Sequence, residues 1–122
     1  MRLCVVSLNP ALDAEWCVED VRWEEKNIVH TQRRWPGGKG VNVARWLRFF
    51  GAKSELILPL GGTTGQEMIS GMRTRDLRAH VIRLAGETRI NVVLTTAAGR
   101  QMRFNPNAEV EKRVVLSKGL WA

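Results

Sequence analysis

Long apolar runs are missing from this chain. No stretch approaches the length that spans a bilayer, and Asn9, Pro10 and Asp13 break the first apolar run before it resembles a secretory leader. Cysteine is scarce: Cys4 and Cys17 sit in apolar surroundings without CxxC spacing. That pattern predicts buried, reduced thiols and a cytoplasmic setting, with neither a disulfide framework nor a metal site. No run of five or more like charges occurs, nor any RNA-binding consensus, internal repeat or low-complexity segment. Membrane protein, disulfide scaffold and repeat array are therefore excluded as readings.

What is present is an ordinary globular composition. The 122 residues are 44% hydrophobic and 25% charged, enough for one domain or part of a larger one. The net charge of +7 comes mainly from arginine, with 14 Arg against 5 Lys. A balance of this sign attracts anions. Because the basic residues are scattered, an anionic small molecule is a better expectation than nucleic acid, which is an unlikely partner.

Leu3 to Leu8 is a short apolar run ended by Asn9-Pro10 and reads as a buried, central strand. Looser alternation at 14–18 and 28–35 predicts half-exposed strands outside the main sheet. From Val41 to Phe50 the period becomes helical, with Val43, Trp46, Leu47 and Phe50 on the apolar side, Arg45 and Arg48 outward, and Gly51 as the stop. Ser54 to Leu58 reads as a strand closed by Pro59, 66–75 as a helix, and His80 to Leu84 as a third core strand. This is the βαβ rhythm of a parallel sheet. Ile90 to Thr96 and Gln101 to Asn105 form a hairpin about Ala97-Ala98-Gly99-Arg100.

Three segments have the makings of a binding site. Pro36-Gly37-Gly38-Lys39-Gly40-Val41-Asn42 is a glycine-rich turn at a helix start, where free N–H groups and the helix dipole favour anions or oxygen-rich ligands. Its spacing matches neither GxxxxGK[ST] nor GxGxxG, and a structural turn is an equal alternative. Asn9-Pro10-Ala11-Leu12-Asp13 follows the first strand, where ligands of open α/β sheets bind, so Asp13 is either an acceptor for two sugar hydroxyls or a turn residue. In Thr88-Arg89-Ile90-Asn91, Arg89 is either a forked phosphate contact or a solvated surface arginine.

Together, Leu8 to Asp13, Gly37 to Arg45, Leu60-Gly61-Gly62-Thr63-Thr64-Gly65 and Thr88 to Val92 resemble the ribokinase-like PfkB sugar kinases. The likeness is to the branch with 1-phosphofructokinase, tagatose-6-phosphate kinase and the minor 6-phosphofructokinase. The resemblance implies an α/β fold: the N-terminal part of a parallel-sheet core with helices, occupying residues 1–106, plus a small β-sheet lid at about 11–35 and 88–105. It implies that the lid covers the sugar and can form a homodimer contact. By the same resemblance Asp13, Gly38, Lys39 and Asn42 bind the sugar, Arg89 holds its phosphate, and Lys26 stands where some members place a phosphate-contacting lysine. The implied activity is ATP-dependent phosphorylation of fructose 1-phosphate, fructose 6-phosphate or tagatose 6-phosphate.

Members of that family are more than twice as long, and their Gly-Ala-Gly-Asp motif, with its catalytic aspartate, does not occur here. ATP and Mg2+ contacts belong to the same missing part, so neither cofactor is expected to bind this chain well and no catalytic residue is assigned. Residues 107–122 read as a divergent, truncated or frameshifted tail. A sheet cut midway also predicts an open edge, an uncovered apolar face and self-association.

Overall fold

The computed structural model describes residues 1–107. Residues 108–122, and with them nearly all of the divergent tail, lie outside the described residues. The described chain runs β1 (Leu3–Val6), β2 (Ala11–Val18), β3 (Val29–Gly37), α1 (Lys39–Phe49), β4 (Ser54–Gly61), α2 (Gly62–Thr74), β5 (Arg78–Leu84), β6 (Ile90–Thr96) and β7 (Gln101–Phe104). Two sheets result. One is parallel with order β1-β4-β5, and the other is mixed with order β3-β2-β6-β7. The architecture is the α/β arrangement of a parallel sheet with helices and a second sheet that the sequence implied. None of the described helices is long and apolar enough to cross a membrane.

The parallel sheet is organised by β4, not by β1. Leu56, Leu58 and Leu60 alternate on one face of β4 and pack against Val41 and Ala44 of α1 and Met68 and Met72 of α2. A buried leucine contributes about 1.5–3 kcal/mol relative to exposure, so this row anchors the domain. Both crossovers run in one direction from β1 to β5, which puts both helices on the same face. The expectation that the first strand is central is therefore corrected: within the described sheet β1 is an edge strand, and its residues alternate between half-buried and exposed. The cysteine expectation fails with it, because Cys4 is exposed and Cys17 only half-buried.

Pro59 does not close β4, which continues to Gly61. Ser7 donates to the Ile57 carbonyl at 2.9 Å, so Ile57, and by alternation Pro59, face the β1 side. β1 has already ended there, and the missing proline N–H forfeits no ladder bond.

Helix α1 turns a different side to the core than its spacing predicted. Val41 and Ala44 are buried, whereas Trp46 is 61% exposed and Phe49 and Phe50 are each 75% exposed. The three rings cluster with centroids 5.3–5.8 Å apart, Trp46 stacked on Phe50 and Phe49 edge-on to both. Large apolar side chains mark a stripe, but the small Ala44 lets the helix approach the sheet closely. On the far side of the sheet Cys4, Val6 and His80 are exposed, and no described element covers them.

Helix α2 begins four residues before its expected start because its first turn is capped from a distance. The Glu87 carboxylate accepts from the Thr63 and Thr64 N–H groups, each at 3.0 Å. These backbone bonds hold the Glu87 carboxyl below the ordinary glutamate range. Beside it, buried Thr88 accepts from the Gly61 N–H through Oγ1 at 3.0 Å and donates its own N–H to the Gly61 carbonyl at 3.0 Å. The loop between β5 and β6 is thus fastened to the end of β4.

Two measurements follow from this packing. The isolated chain is expected to show a sedimentation coefficient that rises with concentration, and Trp46→Lys with Phe50→Lys is expected to suppress the rise; a monodisperse wild-type monomer contradicts the exposed-face account. For Glu87 the folded-state pKa is depressed, so its stabilisation is complete above the unfolded value of about 4.3 and is lost as pH falls through the folded value. Glu87→Gln is expected to melt below the wild type at pH 7, with the gap closing in acid melts.

Candidate functional site

Three connections meet at one end of β4: Ser7 to Pro10 and Leu84 to Ile90 cross between the two sheets, and Gly37 to Lys39 leads from β3 into α1. They border a cleft of about 930 Å³ between the parallel sheet and the mixed one. Asp13, Gly38, Lys39, Asn42 and Arg89 all line it. A second recess beside Arg48 and Asp76, about 40 Å³, is far smaller and holds no comparable convergence.

The glycine segment divides between two elements. Pro36 and Gly37 complete β3, and Gly38 caps a helix that starts at Lys39, two residues earlier than expected. Gly38 has φ 97° and ψ 154°, a region closed to other residues. A Cβ there would also press on Pro10 Cα at 3.1 Å. Gly37 is required for space, since a Cβ would overlap the Asp13 carboxylate. The Asn42 N–H closes the first helical turn on the Gly38 carbonyl at 2.9 Å, while its exposed side chain lines the cleft. Lys39 is also exposed there.

Asp13 lies on β2 opposite Trp35 of β3 and Asn91 of β6. Asn91 Nδ2 donates to Asp13 Oδ1 at 3.1 Å. The carboxylate is thus held by Asn91 on one side and packed against Gly37 on the other.

Arg89 is half-buried and engaged in a way the sequence did not disclose. Its Nη2 donates to the Asn9 carbonyl at 3.2 Å, its Nε to Pro10 at 3.4 Å, and its Nη1 to Pro106 at 3.3 Å. The side chain therefore ties the connection between β1 and β2 to the segment following β7, and a guanidinium retains further donors for an anion in the cleft. Lys26 lies elsewhere, exposed on the loop between β2 and β3 and outside the cleft lining.

Several cleft residues escaped the sequence reading. Strand alternation and register put Glu15, Val93 and Arg103 in one row on the Asp13 face, with Gln101 one row beyond. Glu15 is bonded by Arg33 and by Thr95 Oγ1, the latter at 3.1 Å, and Arg33 foremost holds its carboxyl below the usual range. Arg103 bonds Gln101 Oε1 at 3.0 Å and adds a third cation to the cleft. The period-2 pattern of 101, 103 and 105 was the available signal, but without the pairing register it does not say which sheet face they share.

Residues 4–120 match the pfkB family carbohydrate kinases. The chain is 34% identical over 104 residues to ATP-dependent 6-phosphofructokinase isozyme 2 of Mycobacterium tuberculosis, covering 84% of this chain and 31% of that protein. It is 36% identical over 91 residues to 1-phosphofructokinase of Bacillus subtilis, covering 75% and 30%. Among solved structures, phosphofructokinase-2 of Escherichia coli in complex with substrates and products superposes with a TM-score of 0.87 at 28% identity, over 97% of this chain and 40% of that one. The chain thus spans about a third of the length of the curated relatives it matches. By sequence and by fold, this chain belongs to the pfkB family of carbohydrate kinases.

Proposed function

We propose that this chain supplies the sugar-phosphate-binding part of an ATP-dependent kinase acting on fructose 1-phosphate, fructose 6-phosphate or tagatose 6-phosphate. The observation that carries the reading is the fixed Asp13 carboxylate, set beside a glycine-led helix start in a cleft that also holds Lys39, Arg89 and Arg103. A carboxylate accepts hydrogen bonds from sugar hydroxyls, while the cations complement a phosphate. The relatives are fructose-phosphate kinases, and one solved neighbour, E. coli phosphofructokinase-2, is described in complex with fructose-6-phosphate.

In this reading Asp13 accepts from the sugar hydroxyls. Gly38, Lys39 and Asn42 form the floor, and Arg89 bonds the phosphate with the donors not spent on carbonyls. Residues 11–35 and 88–105 act as a lid; Lys26 is assigned no part. The lid face opposite Asp13 carries Trp16, Leu94 and Met102 in one row, with Phe104 nearby and half-exposed, which supports homodimer contact through the lid. ATP would supply the transferred phosphoryl group. The cleft's donors and acceptors fit the acceptor sugar instead, and among the described residues no three His, Cys, Asp or Glu side chains group as a cation site. This reading assigns magnesium-ATP to none of the described residues.

The short span relative to the relatives favours a second reading, a non-catalytic module that binds sugar phosphate or dimerises. Incubation with magnesium-ATP and fructose 6-phosphate separates the two. Turnover by the chain alone would exclude the non-catalytic reading. Binding is tested by calorimetry with fructose 6-phosphate, fructose 1-phosphate and free fructose. Arg89→Ala is expected to weaken the phosphorylated sugars about tenfold or more and free fructose less, since a hydrogen bond to a charged group is worth about 1.5–3 kcal/mol. Equal losses would remove Arg89 as a phosphate reader. Asp13→Ala is expected to weaken all three.

A further inference from the structure

Asn91 holds an acceptor that nothing among the described residues satisfies. Its Oδ1 is buried and has no hydrogen-bond partner among them, and Asn91 is one of the residues that line the cleft. Buried polar atoms are seldom left so, and an orphan at a cleft wall points to a group that arrives with a ligand. The amide cannot simply be turned over: exchanging Oδ1 and Nδ2 would set the carbonyl oxygen against Asp13 Oδ1, which now accepts from Nδ2 at 3.1 Å.

The backbone makes the placement firm. Asp13 and Asn91 are directly paired on parallel strands β2 and β6, so their side chains share one face of the sheet. Leu12 N–H donates to the Arg89 carbonyl at 3.0 Å just before this pair and fixes the register. Gly37 closes the other side of the Asp13 carboxylate. Two acceptors, Asp13 and Asn91 Oδ1, therefore stand next to each other with little freedom to turn away.

We propose that Asn91 is a substrate-contacting specificity residue, whose Oδ1 accepts from a hydroxyl adjacent to the one taken by Asp13, so that the cleft selects a ligand with two neighbouring free hydroxyls. The inference rests on the sugar-phosphate reading above and deepens it. A ligand missing one of the two hydroxyls leaves a buried acceptor orphaned, and sites built around a substrate hydroxyl reject such analogues strongly. Asn91 has a second effect, as its Nδ2 orients the Asp13 carboxylate.

The test is calorimetric titration of the full chain with fructose 6-phosphate and its 3-deoxy and 4-deoxy forms, on the wild type, Asn91→Ala and Asn91→Ser. The wild type is expected to bind both deoxy forms at least about tenfold more weakly than the parent. In Asn91→Ala one of these two discriminations is expected to collapse while the other persists. A common factor of weakening for all three ligands would mean that Asn91 only orients Asp13, and would overturn the proposal while leaving sugar-phosphate binding intact. Equal wild-type binding of parent and deoxy forms would overturn it as well, independently of how any variant folds. Failure of the wild type to bind fructose 6-phosphate at all would reject the functional reading and this inference together.

Discussion

The guanidinium of Arg89 bonds three carbonyls, those of Asn9, Pro10 and Pro106, from segments far apart in sequence. That contact joins the end of the parallel sheet to the mixed sheet, and the walls of the cleft are positioned through it. Its own backbone is secured from behind, by Thr88 on Gly61 and by Glu87 on the first turn of α2. A chain of local polar bonds thus runs from the end of β4 to the cleft. Each bond alone is modest, about 0.5–1.5 kcal/mol when neutral, but together they leave the loop little alternative geometry.

The same side chain is the one expected to read a phosphate, and the two roles are compatible in charge. Carbonyl oxygens orient a guanidinium without neutralising it, so Arg89 keeps its positive charge for the cleft. Glu15 is treated differently: Arg33 and Thr95 occupy its carboxylate, which leaves Asp13 as the acid whose geometry suits a ligand. The excess of positive charge over the chain is consistent with an anionic ligand, yet the cleft combines charge with a fixed acid and a fixed amide. That combination fits a polyhydroxylated anion better than a bare one.

A parallel sheet is stable when both faces are covered. Here the covered face carries Leu56, Leu58 and Leu60 under both helices, and the other face presents Val6 and Cys4. Trp46, Phe49 and Phe50 project from α1 as a second uncovered apolar group. The cleft, in contrast, is lined by residues of both sheets and of the helix start at Lys39.

Much of this was legible in the residues themselves. Strand–helix alternation, the glycine turn at 37–40 and the hairpin about Gly99 follow from side-chain periodicity and turn chemistry, which act over a few residues. The resemblance carried by Asp13, Gly38, Lys39, Asn42 and Arg89 brought the cleft lining together before any coordinates. Periodicity misjudged α1, because close approach selects small Ala44 over the bulkier aromatic stripe. Within the described sheet β1 is at an edge and not at the centre, because strand order is set by crossover direction and not by local hydrophobicity. The alliance of Asn91 with Asp13, and of Arg89 with distant carbonyls, depends on register between strands some eighty residues apart in sequence. Sequence by itself determined the elements, the family likeness and the residues with binding chemistry; only the tertiary structure decided which of those residues meet, since long-range pairing fixes the face and neighbour of each side chain.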